Sequence, residues 1–459
     1  MTKPKIGLLP LYLALYDEVV PDARPRIESF YETIASELEK KWVDVVRTGI
    51  CRVASEFEGA VNSFEEAGVD AIVTLHLAYS PSLESADALA ETELPIIVLD
   101  TSPASSYSPS TDSAELMFNH GIHGAQDMCN LLIRNGKHFQ IEAGHWEKSD
   151  VLERVAAWAR AARMASSMRS ARIGRIGESF AGMGDFAVSD EALDEIGITV
   201  VPCDYELLRS LAPDDDEAAL ELRDYELKFE VEADVETQTR TARACLAVRK
   251  WIEREGLSGF TFNFDSIDES TGLPTVPFLE ASLAMARGIG YAGEGDVLTA
   301  ALVGALASAY PDTSFTEMFC ADWEGDSIFI NHMGEMNTAL TAGAPVLMTK
   351  DLPFLKVGSP ALAVGRFGPG EAVLVNLAPG PEDTFTLIVA PVTVLQVEGE
   401  DNMTDLIRGW FRPATTVSDF LESYSRLGGT HHSALVYGDV TDGILRFGQM
   451  MGWDVAVLG

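Results

Sequence analysis

No two cysteines in this chain are spaced as CxxC, basic residues are scarce, and no apolar run approaches the length of a membrane span. Each lack closes off a class of protein. The five cysteines (Cys51, Cys129, Cys203, Cys245 and Cys320) are odd in number and dispersed. That argues against a disulfide framework and against a thiolate zinc site, and reduced, mostly buried thiols are expected. Only 33 Lys and Arg stand against 71 Asp and Glu, a formal net charge of −38. Nucleic acid and anionic membranes both require basic surface, so neither is expected as a partner. A transmembrane helix needs about 20 apolar residues in succession, and none is present. The N-terminal run Met1-Thr2-Lys3-Pro4-Lys5 leads into strand-like sequence rather than a signal h-region, so a cytoplasmic setting is expected.

What is present is the composition of a globular protein, 47% hydrophobic and 23% charged, in 459 residues, enough for two or three domains. The first half alternates short apolar runs with amphipathic stretches, the pattern of βαβ units. Lys5 to Pro10 and His138 to Ala143 read as strands, and Asp70 to Leu77 (DAIVTLHL) and Leu94 to Asp100 (LPIIVLD) as buried parallel strands. Helices are expected over Arg26 to Lys41 and Gln126 to Arg134, the latter stopped by Asn135-Gly136. A second block begins near Ala171, with strands at Ala171 to Ile176, Ile198 to Pro202 and Gly259 to Phe264. It also holds a glycine-rich stretch, Gly177 to Gly184 (GESFAGMG), and an acidic run from Asp214 to about Glu236 that reads as a solvated helix face or loop. After about residue 311 the strands are separated by Gly/Pro turns such as Phe367-Gly368-Pro369-Gly370, which suits antiparallel sheet. The expected fold class is α/β: two doubly wound parallel-sheet, Rossmann-like domains (1–170 and 171–311), then a β-rich C-terminal domain of antiparallel barrel type (312–459).

Eight histidines are few enough for their placement to carry information. His431-His432 follows Gly428-Gly429-Thr430, after an amphipathic helix from Val417 to Leu427. If the pair is extended, its side chains point to opposite sides and one of the two is the better ligand candidate. His332 ends the run Ile328-Phe329-Ile330-Asn331, where a satisfied core histidine is the commoner reading. Glu317, among Phe315, Met318 and Phe319, is costly to bury without a cation or hydrogen-bond partners. Glu294 lies between Gly293 and Gly295, which permit close approach of a ligand, while Asp296 is placed to cap the helix Val297 to Tyr310. Two carboxylates with one or two imidazoles suit Mn²⁺, Mg²⁺ or Co²⁺ with open positions better than a closed structural zinc site.

Several blocks taken together resemble the L-arabinose isomerases. They are Gly272-Leu273-Pro274 through Tyr291-Ala292-Gly293-Glu294-Gly295-Asp296 and Thr299-Ala300-Ala301-Leu302, then Ser314-Phe315-Thr316-Glu317, His332-Met333-Gly334-Glu335 and Gly428-Gly429-Thr430-His431-His432. The resemblance implies an aldose–ketose isomerase working through a cis-enediol. Its metal, Mn²⁺ with Mg²⁺ or Co²⁺ as alternatives, would be held by Glu294, Glu317, His332 and His432. Glu294 and Glu317 would be the acid/base pair. His123, Phe264, Met333 and His431 would line the sugar pocket, and a trimer-based hexamer would let a neighbour's N-terminal domain complete it. The match is weaker at the N-terminus. There the family's Gly-Ser-Gln/His-Leu-Tyr-Gly motif is replaced by Leu8-Leu9-Pro10-Leu11-Tyr12, and the pocket's usual glutamine is replaced near His120. The chemistry is therefore expected more firmly than L-arabinose itself; L-fucose or D-galactose isomerisation is an alternative. A non-catalytic sugar-binding module is compatible with two α/β lobes but gives no reason for the glutamates and paired histidines.

Overall fold

The computed structural model describes residues 3–459; Met1 and Thr2, the start of the N-terminal run read above, lie outside the described residues. The chain forms two compact units, residues up to 163 and residues 164–459.

In the first unit five strands form one parallel sheet: β1 (Lys5–Leu11), β2 (Asp44–Arg47), β3 (Ala71–His76), β4 (Ile96–Asp100) and β5 (Phe139–Ala143), in the order β2-β1-β3-β4-β5. Every residue of β3 is buried, as a β-branched run covered on both faces should be. Helices such as Arg24–Glu39, Ala54–Glu66 and Gly121–Arg134 supply the crossovers. The last begins five residues earlier than its sequence suggested, with Gly121 and Gly124 lying against His76; a Cβ on either would come within 2.5 Å of that residue.

The second unit opens with β6 (Arg172–Ile176) and β7 (Thr199–Pro202), a two-residue strand β8 (Glu230–Val231), then β9 (Gly259–Phe262) and β10 (Gly290–Gly293). Four of these make a second parallel sheet, ordered β10-β9-β6-β7. The acidic run is a capped helix, Asp215–Lys228, and it is not solvated all round. Its buried Glu221 pairs with Arg249 at 2.7 Å, and Arg249 also holds the fully buried Glu280 at 2.8 Å.

The remaining strands are β11 (Thr313–Asp322), β12 (Ser327–Asn331), β13 (Val346–Thr349), β14 (Ala361–Val364), β15 (Gly370–Pro379), β16 (Phe385–Val394), β17 (Gly409–Pro413), β18 (His432–Tyr437) and β19 (Asp454–Val457). Six of them close an antiparallel barrel, β15-β18-β11-β12-β17-β16 and back to β15, with β19 added parallel to β16. Closure removes the sheet edges of those six strands, and inward residues such as Ile330, Leu374, Ile388, Phe411 and Leu435 fill the interior. β13 and β14 pair separately with β8. The helix Val297–Ala309 is apolar on all sides because it packs against both the second sheet and the barrel. It carries the chain directly from one to the other.

Candidate metal and acid/base site

Strand register assembles one half of the site. Glu317 on β11 lies opposite His432 on β18 and opposite Asn331, the last residue of β12, on its other side. His332 follows at once, so cross-strand pairing places a carboxylate between two imidazoles. The Phe315 ring, two residues before Glu317 on the same strand, packs edge-on against both rings, with centroids 4.8 Å from His332 and 5.0 Å from His432. Nε2 of His332 stands 3.8 Å from Oε2 of Glu317.

The other half comes from the turn after β10. Glu294 adopts φ 61°, a left-handed conformation that costs a non-glycine residue roughly 1–2 kcal/mol, and Gly295 beside it has φ 83°. The strained turn is held from outside: Phe180 donates its N–H to the Glu294 carbonyl (2.9 Å), and a Cβ on Gly295 would sit 2.7 Å from Ser179 Cα. A Cβ on Gly293 would come within 2.6 Å of the His332 ring, so the small residue lets backbone and imidazole touch. Oε2 of Glu294 is 3.7 Å from Nε2 of both His431 and His432. The histidine pair therefore does not splay. Only His432 is in the strand, while His431 sits in the bend before it, and both rings turn to the same carboxylate with centroids 4.3 Å apart.

Each imidazole is fixed at Nδ1 by a further carboxylate. His332 pairs with Glu335 (2.7 Å), which also accepts from the Tyr291 hydroxyl (2.6 Å) and the Gly334 N–H (2.7 Å). His432 pairs with Asp296 (3.0 Å), whose other oxygen caps the helix at the Thr299 N–H (2.9 Å). His431 pairs with Asp185 (2.6 Å). A carboxylate can only accept, so Nδ1 carries the proton and Nε2 is left facing the glutamates. Asp296 was legible as a cap; Glu335 appears in the sequence only as part of a motif, and nothing local marks Asp185.

The environment pushes the two glutamates apart. Burial raises the Glu317 carboxyl above the usual range, against the pull of the histidines. Burial acts the same way on Glu294, but His431, His332 and His432 outweigh it and lower that carboxyl. His431 is opposed by burial too, yet the carboxylates of Glu294 and Asp185 raise it to about 9.

The donor chemistry fits a divalent cation. Glu294, His431 and His432 form one cluster of convergent donors, and Glu317, His332 and His432 form another, with His432 common to both. Nε2 of His432 is buried and has no hydrogen-bond partner among the described residues, and its 3.7 Å separation from Glu294 is too long for one. A buried imidazole nitrogen with a lone pair and no donor to accept from is costly unless something else engages it.

The pocket residues are more dispersed. Phe264 packs against Phe180 and Phe354, with centroids 5.4 and 5.3 Å away, and Met333 is half-buried beside His332. His123 lies in the first unit, stacked on Tyr79 at 4.4 Å.

Residues 21–170, 212–309 and 312–454 match the family models described as the L-arabinose isomerase N-terminal, central and C-terminal domains. The L-arabinose isomerase of Geobacillus thermodenitrificans (strain NG80-2) is 26% identical over 474 aligned positions, covering 97% of this chain and 92% of that protein. That of Geobacillus kaustophilus (strain HTA426) is 26% identical over 411, covering 84% and 80%. A solved periplasmic solute binding protein from Actinobacillus succinogenes 130z with bound D-allose aligns with TM-score 0.18 at 14% identity, over 67% of this chain and 92% of that one.

Proposed function

Since the chain belongs to the L-arabinose isomerase family, we propose that it is an aldose–ketose isomerase acting by proton transfer through a cis-enediol, with L-arabinose to L-ribulose as the leading reaction. The observation that supports the reading is the convergence of Glu294 and Glu317 on buried imidazoles, with Nε2 of His432 left without a hydrogen-bond partner among the described residues. Glu294, Glu317, His332 and His432 would hold a divalent cation, Mn²⁺ before Mg²⁺ or Co²⁺. Bound there, the ion would polarise the sugar carbonyl and stabilise negative charge on its oxygen.

The chain's own groups divide the remaining work. Glu294, kept ionised by the surrounding imidazoles, takes the proton from C2 and returns it to C1 of the enediol, so that the C2–H bond broken is replaced by a C1–H bond. Glu317, whose burial favours its protonated form, gives and recovers a proton at O1 and O2. Unequal proton affinities in one site are what such a relay requires. Phe264, Met333 and His431 are proposed to contact the sugar, together with His123 from a neighbouring subunit of a trimer-based hexamer in the cytoplasm. The altered Leu8-Leu9-Pro10-Leu11-Tyr12 segment leaves L-fucose and D-galactose as alternative substrates.

A screen of aldoses on chelator-treated protein, with and without Mn²⁺, tests the reading. Ketose should form only with the ion restored, and Glu294→Gln or Glu317→Gln should reduce turnover at least about 1000-fold with unchanged circular dichroism. Wild-type rates in either variant would sink the assigned roles.

A further inference from the structure

The glycine-rich stretch that follows β6 braces the Glu294 turn through Ser179 and Phe180, and its far end reaches the histidine pair. Oδ2 of Asp185 accepts two hydrogen bonds from one residue, from the main-chain N–H of His431 (3.0 Å) and from its Nδ1 (2.6 Å). The next residue, Phe186, is buried and stacks on His432, with centroids 4.9 Å apart and planes 11° from parallel. Adjacent residues thus grip adjacent residues across 246 positions of sequence.

We infer that Asp185 is a positioning residue for the reaction, holding the His431 ring so that its Nε2 faces Glu294. The inference rests on the isomerase reading for its kinetic consequence but not for its structural one. Three imidazoles border the two glutamates, and each has a carboxylate at Nδ1. For His332 and His432 that carboxylate is wholly buried (Glu335, Asp296), and the histidine ring is buried with it. His431 is different. It precedes β18, its side chain is 28% exposed, and no strand pairing fixes its backbone. The double acceptance by Asp185 supplies both missing constraints, one on the main chain and one on the ring. With Nδ1–H given to Asp185, Nε2 is the atom presented at 3.7 Å from Glu294, where a sugar hydroxyl would lie under the proposed function.

Two measurements on the full-length protein test this. The first is the rate at which diethyl pyrocarbonate modifies His431, read by peptide mass spectrometry. Freed of its partner, the ring should react at least about 5-fold faster in Asp185→Ala, while Asp185→Asn, which keeps an acceptor of the same size, stays near wild type. The second is steady-state kinetics with Mn²⁺ and whichever aldose is turned over. Asp185→Ala should lower kcat about 10- to 100-fold with KM and Mn²⁺ affinity within about 3-fold, and Asp185→Asn should recover most of the loss. An unchanged modification rate in Asp185→Ala overturns the inference, as does a faster rate with unchanged kcat, or an Asn variant as impaired as Ala. If no aldose is turned over, the isomerase reading fails, and the modification rates still decide whether Asp185 holds His431.

Discussion

A histidine has two nitrogens, and in this site one of them is consistently committed to structure. His332 gives Nδ1 to Glu335 and His432 gives Nδ1 to Asp296, which fixes the tautomer and aims Nε2 at the glutamates. Glu335→Gln removes the charge that holds Nδ1–H in place. It is expected to weaken Mn²⁺ binding about 10- to 100-fold by calorimetry, and a change below about 3-fold would show that the Glu335 contact has no influence on the ion. Glu294, Glu317, His332 and the histidine pair were all visible in the sequence, because a carboxylate among aromatics or between glycines, and a histidine ending an apolar run, break the local pattern. Glu335 and Asp185 break no pattern. Their role exists only once folding brings each to a ring nitrogen, and for Asp185 that partner is 246 residues away.

At the scale of elements, period and punctuation made most strands readable, and β6 (Arg172–Ile176) departs from its expected span, Ala171 to Ile176, by one residue. Two segments hold more than their local sequence states. The side chains of the histidine pair would point to opposite sides if both residues were extended, but the strand starts at His432 and the preceding bend turns His431 to the same side. The acidic run forms a helix with the solvated face its charge suggested, and its other side carries a stripe (Ala218, Glu221, Tyr225) that packs inward, with Glu221 paired to Arg249. The turn Gly293-Glu294-Gly295 shows the opposite tension, a left-handed backbone occupied by glutamate where glycine would be relaxed. Glu294→Gly should therefore abolish turnover while leaving the protein as stable or about 1 kcal/mol more stable to denaturant. A clear loss of stability would show that the glutamate contributes to folding rather than opposing it.

For the molecule as a whole, the charge of −38 means that acid relieves self-repulsion, so stability could rise as the pH falls toward the sequence pI of about 4.4. His76 works against this. It is buried at the end of β3, neither ring nitrogen has a hydrogen-bond partner among the described residues, and burial lowers its pKa from 6.5 to about 3. The unfolded ring takes a proton below 6.5 and the native ring does not until about 3. Falling pH across that window therefore draws the first unit toward unfolding, by about 1.4 kcal/mol per pH unit at most. Denaturant unfolding of wild type and His76→Phe at pH 7 and pH 4.5 should show a smaller acid loss in the variant, and equal losses would remove His76 as the cause. The net charge was plain from composition, whereas this opposing group was not, since the burial of the ring arises only when the helix Gly121–Arg134 packs on β3 with Gly124 against the imidazole.

Asp296 performs two tasks with its two oxygens, starting the helix Val297–Ala309 at Thr299 and steadying His432. Helix fraying and loss of ligand geometry are therefore the same event. Any ion that engages His432 must also slow the opening of that helix's first turn, by thermodynamic linkage through one shared side chain. The Thr299 amide should consequently exchange its hydrogen more slowly when Mn²⁺ is added, and this link should vanish in Asp296→Ala. Occupancy of a sugar-processing centre would then be readable from a backbone proton that touches neither sugar nor metal.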